Sequence, residues 1–341
     1  MAKISIATVR ALINYLSKPS TSSSDEYRGI SRNKLLSEID ISELQLNHST
    51  QLVESAKYES LFNFAERELQ RKSIGFEFGK TITADRWGIL GYIAFTSPTL
   101  RVALTKQRKY QSLAGNLGTP ISELVNDRLL LKWIPAHKCN HHIVEEIITG
   151  WAALADNLSQ EKIKPNAIYF QHSFKGNIEH KERYEDFFGC PVLFEHDFNG
   201  IQIEQSSLDI SLITVDEVIN QALCHQADNM LCNIIEQSPI ESVNQFIINQ
   251  LPLGVPEIDD AAKQLGMSIR TLQRKLSDNQ LNFTGMIDSI RKELALSYLK
   301  NTNTKVIYIA QMLGFSEQSA FQRAFKRWTG ETPKQCRDNQ L

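Results

Sequence analysis

Apolar residues return every three or four positions along much of this chain, and the stretches where they do so predict helices. Leu35, Leu36 and Ile39 share one helical face, and Leu52, Ala56, Leu61, Phe62 and Ala65 share another around a small break. Ser97-Pro98-Thr99 precedes a helix predicted over residues 100–113, which either hydroxyl can cap. Residues 143–158 and 215–237 have the same periodicity. Elsewhere the pattern changes. Residues 128–134 and 166–172 are rich in branched and aromatic side chains between turn formers, which predicts strands. Residues 190–196 and 201–205 flank Asp197-Phe198-Asn199-Gly200, whose Asn-Gly pair predicts a hairpin. The Ser/Thr-rich residues 20–24 read as a surface loop. Residues 1–210 therefore read as one α/β domain, helices plus an antiparallel sheet. Residues 211–238 read as a helical linker ending at Ser238-Pro239, and residues 239–341 as an all-α domain.

That last domain carries an internal repeat. Ala262-Lys263-Gln264-Leu265-Gly266-Met267-Ser268 returns as Ala310-Gln311-Met312-Leu313-Gly314-Phe315-Ser316, and Leu272-Gln273-Arg274-Lys275-Leu276 returns as Phe321-Gln322-Arg323-Ala324-Phe325. Each copy has the parts of a helix-turn-helix. A small residue lets two helices approach, a glycine ends the first helix in the left-handed region, an apolar residue plugs the turn, and a serine caps the second helix. In the first copy Ile269, Leu272 and Leu276 form the predicted apolar stripe. Ser268, Arg270, Thr271, Gln273, Arg274 and Lys275 are then the candidate DNA contacts. In the second copy Ala320, Phe321, Ala324, Phe325 and Trp328 form the stripe. Ser316, Gln318, Ser319, Gln322, Arg323, Lys326 and Arg327 face away. Arg and Gln make paired hydrogen bonds to base edges, and Lys reaches phosphates. Between the copies, Phe283, Ile287, Ile290, Leu294 and Tyr298 predict a long helix with one buried stripe, which joins the two units. Two recognition helices on one face of a duplex would enter successive major grooves, about 34 Å apart.

Charge follows the same division. Residues 258–341 carry a net charge of +5, and the rest of the chain carries −7, within a total of −2. Only the C-terminal part is suited to a polyanion, which makes double-stranded DNA the expected partner. No apolar run is long enough to span a membrane, and the N-terminus lacks a signal-peptide core. Five cysteines without paired spacing fit free thiols, so a cytoplasmic protein is expected.

The C-terminal motifs resemble the AraC/XylS transcription regulators from about Pro239 to Gln335. The resemblance rests on Leu265-Gly266-Met267-Ser268 with residues 270–274, on Arg291-Lys292-Glu293-Leu294-Ala295, and on Gly314-Phe315-Ser316 through Phe325-Lys326-Arg327-Trp328-Thr329-Gly330-Glu331-Thr332-Pro333. Cys336 departs from the pattern, standing where the family carries an aromatic residue. Trp87-Gly88-Ile89-Leu90-Gly91-Tyr92, Ser97-Pro98-Thr99-Leu100 and Phe187-Phe188-Gly189-Cys190-Pro191-Val192 resemble the N-terminal domain of the subgroup that includes the ornithine-utilisation regulator, a type labelled arabinose-binding. The resemblance implies a sensing or dimerisation domain in front, and activation through contact with RNA polymerase.

A small-molecule effector would bind the front domain. Trp87, Tyr92, Trp133, Trp151 and Tyr169 are candidate pocket walls, and Arg101 and His172 are candidate partners for an acidic group, so a small organic or fatty acid is the expected effector. His137, Cys139, His141 and His142 have ligand-type side chains but no second cluster, so no metal is expected, and no cofactor. No catalytic motif is present, so an enzyme is not expected. Two alternatives stand beside the ligand-controlled regulator: a constitutive, homodimeric DNA binder, and a DNA-modifying enzyme carrying the same reader.

Overall fold

The computed structural model describes residues 2–19, 29–47, 51–125, 127–159, 162–174, 178–237, 239–301 and 304–338. The expected loop at 20–24 and Ser238 lie outside them. The chain divides into two compact units, residues 1–135 with 139–227, and residues 136–138 with 228–341. The division falls within the helix Glu217–Gln237. Among the described residues no helix is long and apolar enough to cross a membrane.

In the first unit, β1 (Lys3–Ser5) pairs antiparallel with β2 (Leu52–Glu54), and each strand runs straight into a helix. Ser5 caps the first of these, accepting from the Ala7 amide at 3.2 Å. The main sheet contains β3 (Gly118–Val125), β4 (Arg128–Pro135), β5 (Ala167–Tyr169), β6 (Val192–Leu193) and β7 (Asn199–Glu204), in the order β3-β4-β7-β5-β6. It is antiparallel except at one edge, where β5 and β6 run parallel. The hairpin predicted at Asn199-Gly200 does not form. Both residues lie inside β7, opposite Trp133 and Lys132 of β4. The Asn199 side chain exchanges hydrogen bonds with Gln171, at 2.8 and 2.9 Å, so its polar group is satisfied without a turn. The predicted helix at 100–113 runs from Leu100 to Ala114; Thr99 is its cap, accepting from the Val102 amide, while Ser97 bonds back to the Ile93 carbonyl.

The core of this unit is the long helix His141–Leu158, buried on most of its surface. Helix Ile74–Lys80 lies directly against it because Gly75 and Gly79 present no side chain there. A β-carbon on Gly75 would fall 2.1 Å from the His142 carbonyl oxygen, and one on Gly79 2.6 Å from Thr149. This close approach brings charged groups out of water. Buried Arg86 donates from Nη2 to the carbonyls of Phe78 (2.6 Å) and Thr81 (2.9 Å), and its guanidinium lies 3.8 Å from the Phe78 ring centroid. Its Nη1 lies 3.5 Å from Glu146, which is equally buried. Burial pushes the Glu146 carboxyl up to about 7, against the pull of Arg86. Burial likewise pushes Glu145 up to about 8, against the hydrogen bond donated by Tyr184. It pushes His142 down to about 3, helped by the charge on neighbouring His141.

The second unit contains the repeat. Helices Ile258–Gln264 and Ile269–Asp278 make the first helix-turn-helix, and Val306–Met312 and Gln318–Thr329 make the second. The two turns share one backbone geometry. Gly266 and Gly314 have φ of 64° and 72°, and the plug residues Met267 and Phe315 donate to Ala262 and Ala310, each at 3.0 Å. Ser268 caps as expected, accepting from Thr271 at 3.1 Å. Ser316 does not: the N-cap is Glu317, one residue later, and the Ser319 hydroxyl donates to its carboxylate. Ile269 is also outside its expected stripe, 38% exposed, because it is the first residue of its helix and Leu272 and Leu276 define the buried face. The joining helix, Phe283–Asn301, is buried on more than one stripe. Phe283, Met286, Ile287 and Ile290 belong to the core of the first helix-turn-helix, while Ala295, Tyr298 and Leu299 are buried further along. A central helix packed by neighbours on several sides needs more than one apolar face.

The two turn glycines have unequal surroundings. A β-carbon at Gly266 meets nothing within 4 Å, whereas one at Gly314 would fall 2.8 and 2.9 Å from the carbonyl oxygens of Leu251 and Gly254. Gly266→Ala should therefore cost only the left-handed penalty, about 1 kcal/mol. Gly314→Ala should cost more than twice as much, since backbone must also move; urea unfolding of the two variants reads the difference. The buried carboxyls predict a pH dependence. Glu145 and Glu146 stay protonated in the fold to about 8 and 7, above the ordinary 4.5, so their contribution is lost as pH rises through that window. His142 acts in the opposite direction, its contribution lost as pH falls from 6.5 towards 3. The first unit should melt at highest temperature near pH 4.5, where the two raised carboxyls and the one lowered imidazole balance, and lose stability towards pH 8. Glu145→Gln should flatten that alkaline loss in a melting series across pH.

Candidate nucleic-acid interface and ligand cavity

The second helix of each unit turns its polar residues to solvent. In Ile269–Asp278, Arg270, Gln273 and Arg274 are exposed, and Thr271 and Lys275 are partly so. In Gln318–Thr329, Ser319, Gln322, Arg323, Lys326 and Arg327 are exposed and Gln318 is half-buried, while Phe321, Ala324 and Phe325 are buried beneath. Ser268 and Ser316 are exposed at the starts of the two faces. Both helices thus have the division that the spacing predicts. Their charges differ in freedom. Arg327 lies 3.4 Å from Asp288, whereas Arg270, Arg274 and Lys275 form no ion pair among the described residues. Arg291 of the joining helix supports the second reader. Its Nε donates to the Leu313 carbonyl at 2.8 Å, its Nη2 reaches the Gly314 carbonyl at 3.3 Å, and its guanidinium lies 4.5 Å from the Phe315 ring centroid. The sequence pattern assigned Arg291 no role, because its partners are backbone carbonyls 22 and 23 residues away. Cys336 is buried in the last helix, Pro333–Asp338, filling the place of the family's aromatic with a smaller side chain.

The first unit contains an apolar cavity of about 760 Å³, counting solvent at its mouth. Trp87, Trp151, Leu100, Leu154 and the β7 residues Ile201 and Ile203 are among its walls. A second cavity of about 660 Å³ adjoins it, sharing Trp87, Leu90, Gln107, Pro120 and Trp151, and adding Trp133, Gln111, Thr8 and Glu146. Three of the seven expected ligand residues, Trp87, Trp133 and Trp151, therefore meet here. The other four do not. Tyr92 is 45% exposed, and Tyr169 packs against His196 and Phe198. Arg101 is held at the surface by Asp209, with both of its hydrogen bonds under 2.8 Å. The Nε2 of His172 lies 3.6 Å from Glu145. Neither expected anchor for an acid faces the cavity. Gln107 was missed by the sequence reading, although a signal existed: it continues the apolar stripe of Leu100, Ala103 and Leu104, where a polar residue is out of place.

Of the His/Cys group, only His141 and His142 come together, with Glu66, their ligand-type atoms lying within 4.8 Å of one another. The hydrogen bonds occupy the rings. The Gly75 amide donates to Nδ1 of His142 at 3.3 Å, which puts the ring proton on Nε2, facing Glu66 at 3.0 Å. Nε2 of His141 faces the Lys72 carbonyl, an acceptor, and so carries a proton too. His137 and Cys139 lie outside this group, and burial pushes the Cys139 thiol up to about 12. Burial holds Cys190 at about 11, so neither thiol is activated for nucleophilic or redox chemistry.

Comparison with known proteins agrees with both halves. The family described as the N-terminal arabinose-binding domain of AraC transcription regulators matches residues 29–212, and a helix-turn-helix domain family matches residues 261–339. The ornithine utilization regulator of Pseudomonas aeruginosa is 26% identical over 271 residues, covering 78% of each chain. The transcriptional regulator VqsM of the same organism is 30% identical over 164 residues, 47% of this chain and 50% of that one. The crystal structure of the transcriptional regulator CdpR from Pseudomonas aeruginosa superposes over 90% of this chain and 96% of its own, with a TM-score of 0.45 and 18% identity. With an arabinose-binding-type domain over more than half of its length and two helix-turn-helix units behind it, this chain belongs to the AraC family of DNA-binding transcription regulators.

Proposed function

We propose that this regulator is ligand-controlled: the first unit takes a small molecule, and its binding changes how the second unit holds operator DNA. The observation that carries this reading is the pairing of an apolar cavity in the first unit with two exposed basic faces in the second. The functional division is taken as residues 1–210 for sensing, 211–238 for linking and 239–341 for reading DNA. Ser268, Arg270, Thr271, Gln273, Arg274 and Lys275 contact DNA from the first unit of the repeat. Ser316, Gln318, Ser319, Gln322, Arg323, Lys326 and Arg327 do so from the second. Arg270 and Arg274, exposed and without an ion-pair partner among the described residues, supply most of the base readout. Activation proceeds through contact with RNA polymerase; the relative named the urease operon transcriptional activator of Escherichia coli is 33% identical over 110 residues, 31% of this chain.

Arg274→Ala should weaken operator binding by about 1–3 kcal/mol and relax preference at one base pair. A loss of equal size on all sequences, with the salt slope reduced by about one, would instead make Arg274 a phosphate contact. Ligand control is tested on the full chain by measuring operator affinity with and without a low-molecular-mass cell extract. A change of fivefold or more is expected, and an unchanged affinity would leave a constitutive binder. In vitro transcription from a bound operator, expected to rise on adding the protein, separates activation from repression.

A further inference from the structure

Resting on the reading that the first unit binds a small molecule, we infer that its ligand is a neutral molecule with an extended apolar body and one hydrogen-bonding head, neither a sugar nor a free acid. The body lies in the more apolar cavity, and the head reaches past Gln107, which the two cavities share, towards Gln111 and Glu146 of the second.

Thirteen of the fourteen described residues that wall the more apolar cavity have hydrocarbon or indole side chains; Gln107 is the exception. A pentose placed there would bury hydroxyls on every side with one amide to meet them. Each unpaired hydroxyl costs about tenfold in affinity or more. A cavity of this lining favours a ligand whose surface is mostly hydrocarbon.

Charge then selects the head. Among the described residues no Lys, Arg or His lines either cavity, and Glu146 is the one ionisable side chain that does. A carboxylate would meet that carboxyl with no cation facing it, while Arg101 is committed to Asp209 at the surface. A cationic head fits no better, because Glu146 is already paired with Arg86, whose Nη1 lies 3.5 Å away. A neutral N–H or O–H can donate to Glu146. A carbonyl can accept from the Gln107 amide, whose side chain no described residue hydrogen-bonds. Gln111 is partly engaged, its amide 3.5 Å from the Gly118 carbonyl.

Octanamide, octanoate and L-arabinose, titrated calorimetrically into the full chain at pH 7.5, test this. Octanamide should bind, octanoate should bind at least tenfold more weakly, and L-arabinose should give no heat. Gln107→Leu should weaken octanamide about tenfold with its melting temperature near that of the parent chain, and Ala155→Phe should abolish binding by filling the cavity. Should Ala155→Phe fail to fold, the Gln107→Leu result decides. Octanoate or L-arabinose binding as tightly as octanamide overturns the inference, as does octanamide binding indifferent to Gln107→Leu. Silence towards all three probes, while the low-mass extract still changes operator affinity, overturns the ligand class but leaves small-molecule control standing. Silence of both removes both.

Discussion

Arg291 meets the second turn where a helix ends and its last carbonyls have no partners within the helix. Its guanidinium hydrogen-bonds two of them, at Leu313 and Gly314, beside the negative end of the helix Val306–Met312. The same turn lies so close to the carbonyls of Leu251 and Gly254 that residue 314 has no room for a side chain. Three parts of the unit therefore converge on one residue: the turn at residues 251–254 that follows the helix Pro239–Gln250, the joining helix, and the second helix-turn-helix. Because a folded core gives little, these contacts tie the placement of the second reader to the joining helix. The cost of the arrangement is a half-buried cation, and the carbonyls with the Phe315 face are what compensate it.

The first unit solves a different problem with similar means. Two glycines one turn apart bring helix Ile74–Lys80 onto the helix His141–Leu158, and that closeness traps Arg86, Glu145, Glu146 and His142 away from water. Burial holds Glu145, Glu146 and His142 towards their neutral forms, which leaves Arg86 as the buried charge to be satisfied. Stripping a buried charge of its partner is costly, at about 3–5 kcal/mol. These groups orient what surrounds them. Glu146 is held by Arg86 on one side and reaches the smaller cavity on the other, so the seam that fixes the helices also furnishes the cavity's polar end.

How much of this was legible in the sequence depended on whether the determining contact was local. The repeat, its left-handed glycines and the division of each recognition helix into two faces follow from residues within a few positions of one another. All were read from the chain. Failures came where a distant partner decides. Asn199-Gly200 has the composition of a turn, yet pairing with β4 and the hydrogen bonds of Asn199 with Gln171 place it in a strand. The strand β3 went unread because Pro120 and polar residues interrupt it, which an edge strand tolerates. Among the expected ligand residues, the tryptophans converge because each large apolar ring must be buried somewhere. Arg101 and His172 were chosen for their chemistry alone, and nearby carboxylates claim both.

The two readers differ in a way that bears on how such a protein would distinguish one operator from another. The first recognition helix carries Arg270, Arg274 and Lys275 without an ion-pair partner among the described residues, and the turn before it has open space around Gly266. The second begins at Glu317, shares Arg327 with Asp288, and is tied at its turn to two other parts of the unit. An unpaired arginine has its full donor set to give a base edge, and small shifts of its helix let it find the bidentate geometry that discrimination requires. A helix already pinned, with a carboxylate at its start, is better suited to holding register against the backbone, where contacts position without specifying. On the proposed reading, sequence preference therefore concentrates under the first helix-turn-helix. The second sets where along the duplex that preference is exercised.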